Sequence, residues 1–264
     1  LTANTSGGDN TAVGDRCLDA NTTASANTAM GSGAMGATTT GNQNTAVGSG
    51  ALAVNTNGSE NTVLGYNALD ANTSGGSNVA VGKQALTANT TASNNTAVGT
   101  NSLAANTTGN NNVAFGYNAL SSNTTQSSCT ALGYEALKVN TGSNNTAAGY
   151  QSMVANTTGT QNAAFGNQSL DANTTGNYNA AFGWGALGGN TTADNNTAVG
   201  QVALLDNTTG SNNTAVGRNC LTNNTTASSN TSVGSNSLAA NTTGNENTAV
   251  GHYALDASSG ANEN

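Results

Sequence analysis

The stretch NNTAVGTNSLAANTTGN, Asn94 to Asn110, decides the fold, because its core is said again and again: NTAVG stands also at Asn44, Asn196, Asn213 and Asn247. The glycine that follows the small apolar pair recurs as Gly14, Gly31, Gly48 and onward to Gly251. The spacing is 17 residues throughout, except for one step of 16 between Gly133 and Gly149. That makes fifteen units of seventeen residues, and a fixed period of this length is the signature of a repeat architecture. The unit reads N-T-A-V-G-x-x-A-L-x-A-N-T-T-G-x-x, with places numbered from its first Asn.

The places that do not vary are the ones under steric confinement. Place five is always Gly, as at Gly99 and Gly116; place nine is always Leu or Met, as at Leu103 and Leu120; place eight is Ala, Ser or Cys. Place four takes Val, Leu, Met, Phe or Ala, and place six takes almost anything, from Asp15 to Trp184. Asn at place one, as at Asn95, is missing only at Cys129; Asn at place twelve, as at Asn106, is missing only at Thr38 and Ser258. Such a pattern separates an inside from an outside, which a flexible linker does not need.

Gly, Asn and Thr are poor helix formers, and the apolar places do not recur at three and four, so a helical repeat is excluded. One or two short strands per unit fit instead, T-A-V and A-L-x-A, separated by turns at Gly five and at N-T-T-G. Stacked in register at about 4.8 Å, like lies on like. The expected fold is all-β, a parallel β-solenoid or β-roll of about fifteen 17-residue coils in a homotrimeric fibre, with Asn95, Asn106 and their counterparts forming amide ladders. Neighbouring side chains on a strand point to opposite faces, so places three and four cannot share an interior. The bulky places four and nine are assigned to the core of the coil, and the small places three and eight to a close contact with a neighbouring chain. Residues 1–264 read as a single continuous array, a section of a longer fibre with no caps visible: Leu1 enters at place nine and Asn264 stands at place one of a further unit.

Composition narrows the function. The hydrophobic share is 35% and charged residues make up 6%, against about 45–50% and about 25% in globular chains, which argues against an ordinary enzyme. A net charge of −8 repels phosphate and works against nucleic acid or an anionic membrane. There is no apolar run long enough for membrane insertion and no leader. Cys17, Cys129 and Cys220 form no CxxC pair, and Cys17 and Cys220 read as small buried fillers at place eight. His252 is the only histidine and lies at variable place six, where solvation accounts for it. Asp19, Asp70, Asp171 and Asp256 share place ten on separate coils, too dispersed for paired acid and base work. No catalytic residue, metal ligand or cofactor site is nominated.

The units NTAVGTNSL and NTVLGYNALDANTSG resemble the repeats of trimeric β-solenoid fibres: the heads of trimeric autotransporter adhesins and the NTAVGxxAL arrays of bacteriophage tail-fibre-like proteins. The resemblance covers nearly the whole chain. It implies a parallel homotrimer, an extracellular, cell-surface or virion-tail location, and a role in reaching or gripping a surface through a glycan or receptor. Autotransporter heads use shorter units centred on NSVAIG.

Two surface readings accompany the fibre. Tyr66, Tyr117, Tyr134, Tyr150 and Trp184 all fall at place six and offer a column of rings for sugars; the competing account is that they stack on each other or on a neighbouring chain. Thr at place two, in eleven of fifteen units, would form a flat column of the kind that ice-binding (antifreeze) solenoids carry. Val79, Val113, Ala163 and Ala180 interrupt it, and it shares a strand face with place four, assigned inward. N-T-T and N-T-S also match glycosylation acceptors, with laddered Asn the simpler account.

Overall fold

In each unit only T-A-V and its variants become strand, each carrying at least one β-branched or aromatic residue of the kind that suits an extended, pleated backbone. The computed structural model describes residues 1–263; the place-one reading of Asn264 lies outside the described residues. The chain is a parallel β-solenoid of coils of about seventeen residues, in two compact units, Leu1–Cys129 and Thr130–Asn264.

The first unit carries β1 (Thr11–Val13), β2 (Thr28–Met30), β3 (Thr45–Val47), β4 (Thr62–Leu64), β5 (Val79–Val81), β6 (Thr96–Val98) and β7 (Val113–Phe115). The second carries β8 (Thr130–Leu132), β9 (Thr146–Ala148), β10 (Ala163–Phe165), β11 (Ala180–Phe182), β12 (Thr197–Val199), β13 (Thr214–Val216), β14 (Thr231–Val233) and β15 (Thr248–Val250). Within each unit every strand pairs in parallel with the one before and after it in sequence, place on place: Ala97 on Ala114, Val199 on Val216. The sixteen-residue step does not disturb this, since Thr130 still pairs Thr146. The missing residue is absorbed in the turn after Asn140, whose Nδ2 donates to Gly142 O at 2.6 Å while Asn145 Nδ2 reaches Asn140 Oδ1 at 3.1 Å.

The strand faces the opposite way from the expectation. Place three is inside: Ala29, Ala46, Ala97, Ala114 and Ala198 are fully buried. Place four is outside, with Leu64 51% and Phe115 56% exposed. The coil is too narrow at the strand for more than a small side chain, so bulk marks the exterior there. The second correction concerns places eight and nine, which are both buried, and A-L-x-A, which forms a turn rather than a strand. Leu103 and Leu120 have φ of 50° and 51°, as do their counterparts at place nine in every coil within a few degrees. This left-handed residue breaks the two-residue alternation of a strand, and two consecutive side chains enter the core. Left-handed backbone costs about 1–2 kcal/mol in an L-residue, which the burial of a leucine, worth about 1.5–3 kcal/mol, offsets.

The amide ladders form as the spacing predicts. Asn106 Nδ2 donates to Asn89 Oδ1 at 3.1 Å and to Gly109 O at 3.0 Å, and Asn95 Nδ2 reaches the same Gly109 carbonyl at 2.9 Å. Two buried asparagines thus close most coils on one carbonyl. Asn95 N–H in turn donates to Asn78 Oδ1 at 3.0 Å. Thr at place thirteen has its own reason: Thr107 Oγ1 donates to Thr124 O at 3.1 Å, one coil on, and the Thr107 amide reaches the same oxygen at 2.8 Å.

Thr38 shows what a break in the ladder does. Asn21 Oδ1 and Thr38 Oγ1 are buried without a partner, because a threonine has no amide to hand to the rung below. An orphaned buried polar atom costs about 1–3 kcal/mol. Thr38→Asn is therefore expected to stabilise the chain by about 1–3 kcal/mol, read as a higher urea midpoint with unchanged m-value; a midpoint that falls or stays put would show that the rung is not worth restoring.

Candidate functional site

Turning place three inward leaves places two and four side by side on the outer strand face. In the second unit that face carries Leu132, Phe165, Phe182, Val199, Val233 and Val250, all exposed. Phe165 and Phe182 lie flat on each other, centroids 4.9 Å apart and planes 4° from parallel, because registered strands set identical side chains at the stacking distance. In the first unit Val13, Met30, Leu64 and Phe115 form the same face. None of the sixteen charged residues of the chain falls at place two or four, so the face is uncharged along each unit, apolar at place four and mostly Thr at place two.

The place-six aromatics are all exposed. In the second unit Tyr134 and Tyr150 stack at 5.3 Å and 11°, and the Tyr150 amide donates to the side chain of Asn167 at 3.2 Å. Trp184 sits two coils from Tyr150, with Asn167 between. Tyr66 and Tyr117 belong to the first unit, three coils apart. Trp184 instead borders a cavity of about 370 Å³ whose walls include Asp171 and Asp206. The sequence places these two acids on coils ten and twelve at different places of the unit, so the place-ten reading paired neither with Trp184. The available signal is the A-L-G-G of coil eleven, where Gly188 and Gly189 stand in for larger residues.

The remaining candidates are accounted for by packing. Cys17, Cys129 and Cys220 are buried. Burial pushes the Cys17 and Cys220 thiols above their ordinary pKa, and Cys220 Sγ donates to Ser232 O at 3.2 Å, which suits an inert filler. His252 is exposed, with Nδ1 3.1 Å from Ser235 O. Among the described residues no three His, Cys, Asp or Glu side chains gather as a metal site requires, and no helix is long and apolar enough to cross a membrane. Apart from Asn4, which is exposed, the Asn of the N-T-T and N-T-S triplets, such as Asn106 and Asn173, is fully buried with its amide engaged, so in the folded chain the ladder holds the nitrogen that glycosylation would need there. Set against family models, curated proteins and solved structures, the chain matches none.

Proposed function

We propose that the chain is a non-enzymatic structural segment of an extracellular or virion fibre, a spacer in which copies associate side by side as a homotrimer through the outer strand face. The observation that supports it is the uncharged outer strand face, with its exposed apolar row at place four. A contiguous exposed apolar surface of this kind marks an interaction site in soluble chains, and with the acids and bases placed elsewhere a second copy meets no like-charge repulsion despite the net charge of −8. The amide ladders and the paired backbone supply rigidity without a large core, which is what a shaft needs.

Light scattering on the purified chain is expected to give three times the 25.6 kDa chain mass, and a monomer mass would overturn the reading. Val199→Lys with Phe182→Lys, which bury charge in the proposed contact, is expected to release monomers while circular dichroism keeps the parent spectrum. A double variant that stays associated places the contact elsewhere.

An ice-binding (antifreeze) function is the second reading, and one observation favours it: the place-two threonines face outward, on the same side as place four, with Thr11, Thr28, Thr45 and Thr62 in consecutive register. Beside that column stand Val13, Met30, Val47 and Leu64, whose differing sizes spoil the flatness an ice plane asks for. Thermal hysteresis decides it, and its absence removes the reading.

A further inference from the structure

We propose that the recess beside Trp184 is a binding subsite for a neutral pyranose sugar. It arises from side chains that are missing. Place ten runs Asp171, Gly188, Leu205 on three successive coils, and the glycine removes the middle rung. A Cβ placed on Gly188 would lie 3.0 Å from Leu205 Cδ1 and 3.2 Å from Asp171 Oδ1, so both neighbours border the vacated volume. Trp184, 51% exposed, stands at its edge, and Gln168 and Asp206 complete the polar wall. The volume of about 370 Å³ falls in the roughly 300–1,000 Å³ range of small-molecule sites.

The donor set selects the ligand class. A pyranose presents an apolar C–H face and a rim of hydroxyls; the indole and the Leu205 methyl suit the face, while carboxylates accept hydroxyl protons and the Gln168 amide both gives and takes. No Lys or Arg lines the recess, so an anionic sugar would bring its charge against two acids with no cation to meet it. Asp171 is partly desolvated, and burial raises its carboxyl above its ordinary pKa, which strengthens any hydroxyl hydrogen bond made there. The lining residues occupy places six, seven, ten and eleven, not the strand face, so the site stands whether or not copies associate.

Trp184 is the only tryptophan in the chain, and its fluorescence reports the recess directly. Titration of the full chain with methyl glucoside, galactoside and mannoside is expected to give a saturable change with at least one of them, and sialic acid none. Gly188→Ala puts a methyl group between Leu205 and Asp171 in the recess, at a residue without left-handed φ, and is expected to weaken binding about tenfold or more. Trp184→Ala, followed by calorimetry, should do the same. Absence of a saturable change with every neutral glycoside, Gly188→Ala binding as well as the parent, or glucosamine preferred over glucose by more than about tenfold would each overturn the proposal, the last by making ion pairing the recognition.

Discussion

Gly99→Ala is expected to lower the stability of the chain by more than about 4 kcal/mol, the range reached only when a substitution cannot be accommodated. Two effects add. Gly99 sits at φ 130°, a region nearly closed to any residue with a Cβ, at a penalty of about 1–3 kcal/mol. The new Cβ would also stand 2.5 Å from Gly116 O and 2.7 Å from Gly116 C. These are backbone atoms of a registered coil, and the Gly116 amide is itself bonded to Val98 O at 2.8 Å, so neither can yield without parting the two coils. The control is Gly33→Ala: φ is 69° and nothing lies within 4 Å of the added carbon, so only the left-handed penalty of about 1–2 kcal/mol applies. Urea unfolding followed by circular dichroism separates the two; equal shifts would mean that close approach of coils is not what fixes place five.

Asn173→Leu carries the second large effect, a loss of about 3–5 kcal/mol. The side chain donates to Asn156 Oδ1 at 2.7 Å and to Gly176 O at 3.0 Å, and accepts from Asn190 Nδ2 at 2.9 Å. Leucine keeps the volume and keeps water out, so Asn156 Oδ1 is left buried without the donor it had, at about 1–3 kcal/mol, and two further bonds of about 1 kcal/mol each disappear. The ladder is one network, so Asn156→Leu in the same molecule should cost less than it does alone, with a coupling of about 1 kcal/mol or more in a double-mutant cycle. Strict additivity would show the rungs to be independent bonds.

Much of this architecture is legible in the sequence, because repetition turns a weak local signal into a column. Gly99 and Gly116 announce the close approach, Asn95 and Asn106 announce the ladders, and the spacing alone sets the coil. The facing of the strand is not legible from alternation, which says that Ala97 and Val98 part company but not which goes inside. The constancy of small residues at place three, where Val63 is the largest occupant, was the informative sign: confinement limits size, and Val98 with its varied counterparts had no such limit. Leu103 hides a different fact, since nothing in a leucine advertises a left-handed backbone, and only stacking against identical neighbours enforces it. The Trp184 recess is harder still to foresee, being a consequence of what Gly188 lacks.

The ladders also have a direction. At both asparagine places each Nδ2 that bonds the neighbouring column member points toward the preceding coil and each Oδ1 toward the following one, as in Asn44 to Asn27, Asn61 to Asn44 and Asn190 to Asn173. Within each unit the side-chain amides are therefore poled like the cells of a ferroelectric, their small dipoles adding along the axis, the positive pole toward lower residue numbers. Two such rows laid alongside in the same sense repel weakly and in opposite senses attract. If copies run parallel, steric fit of their flanks must outweigh the electric preference.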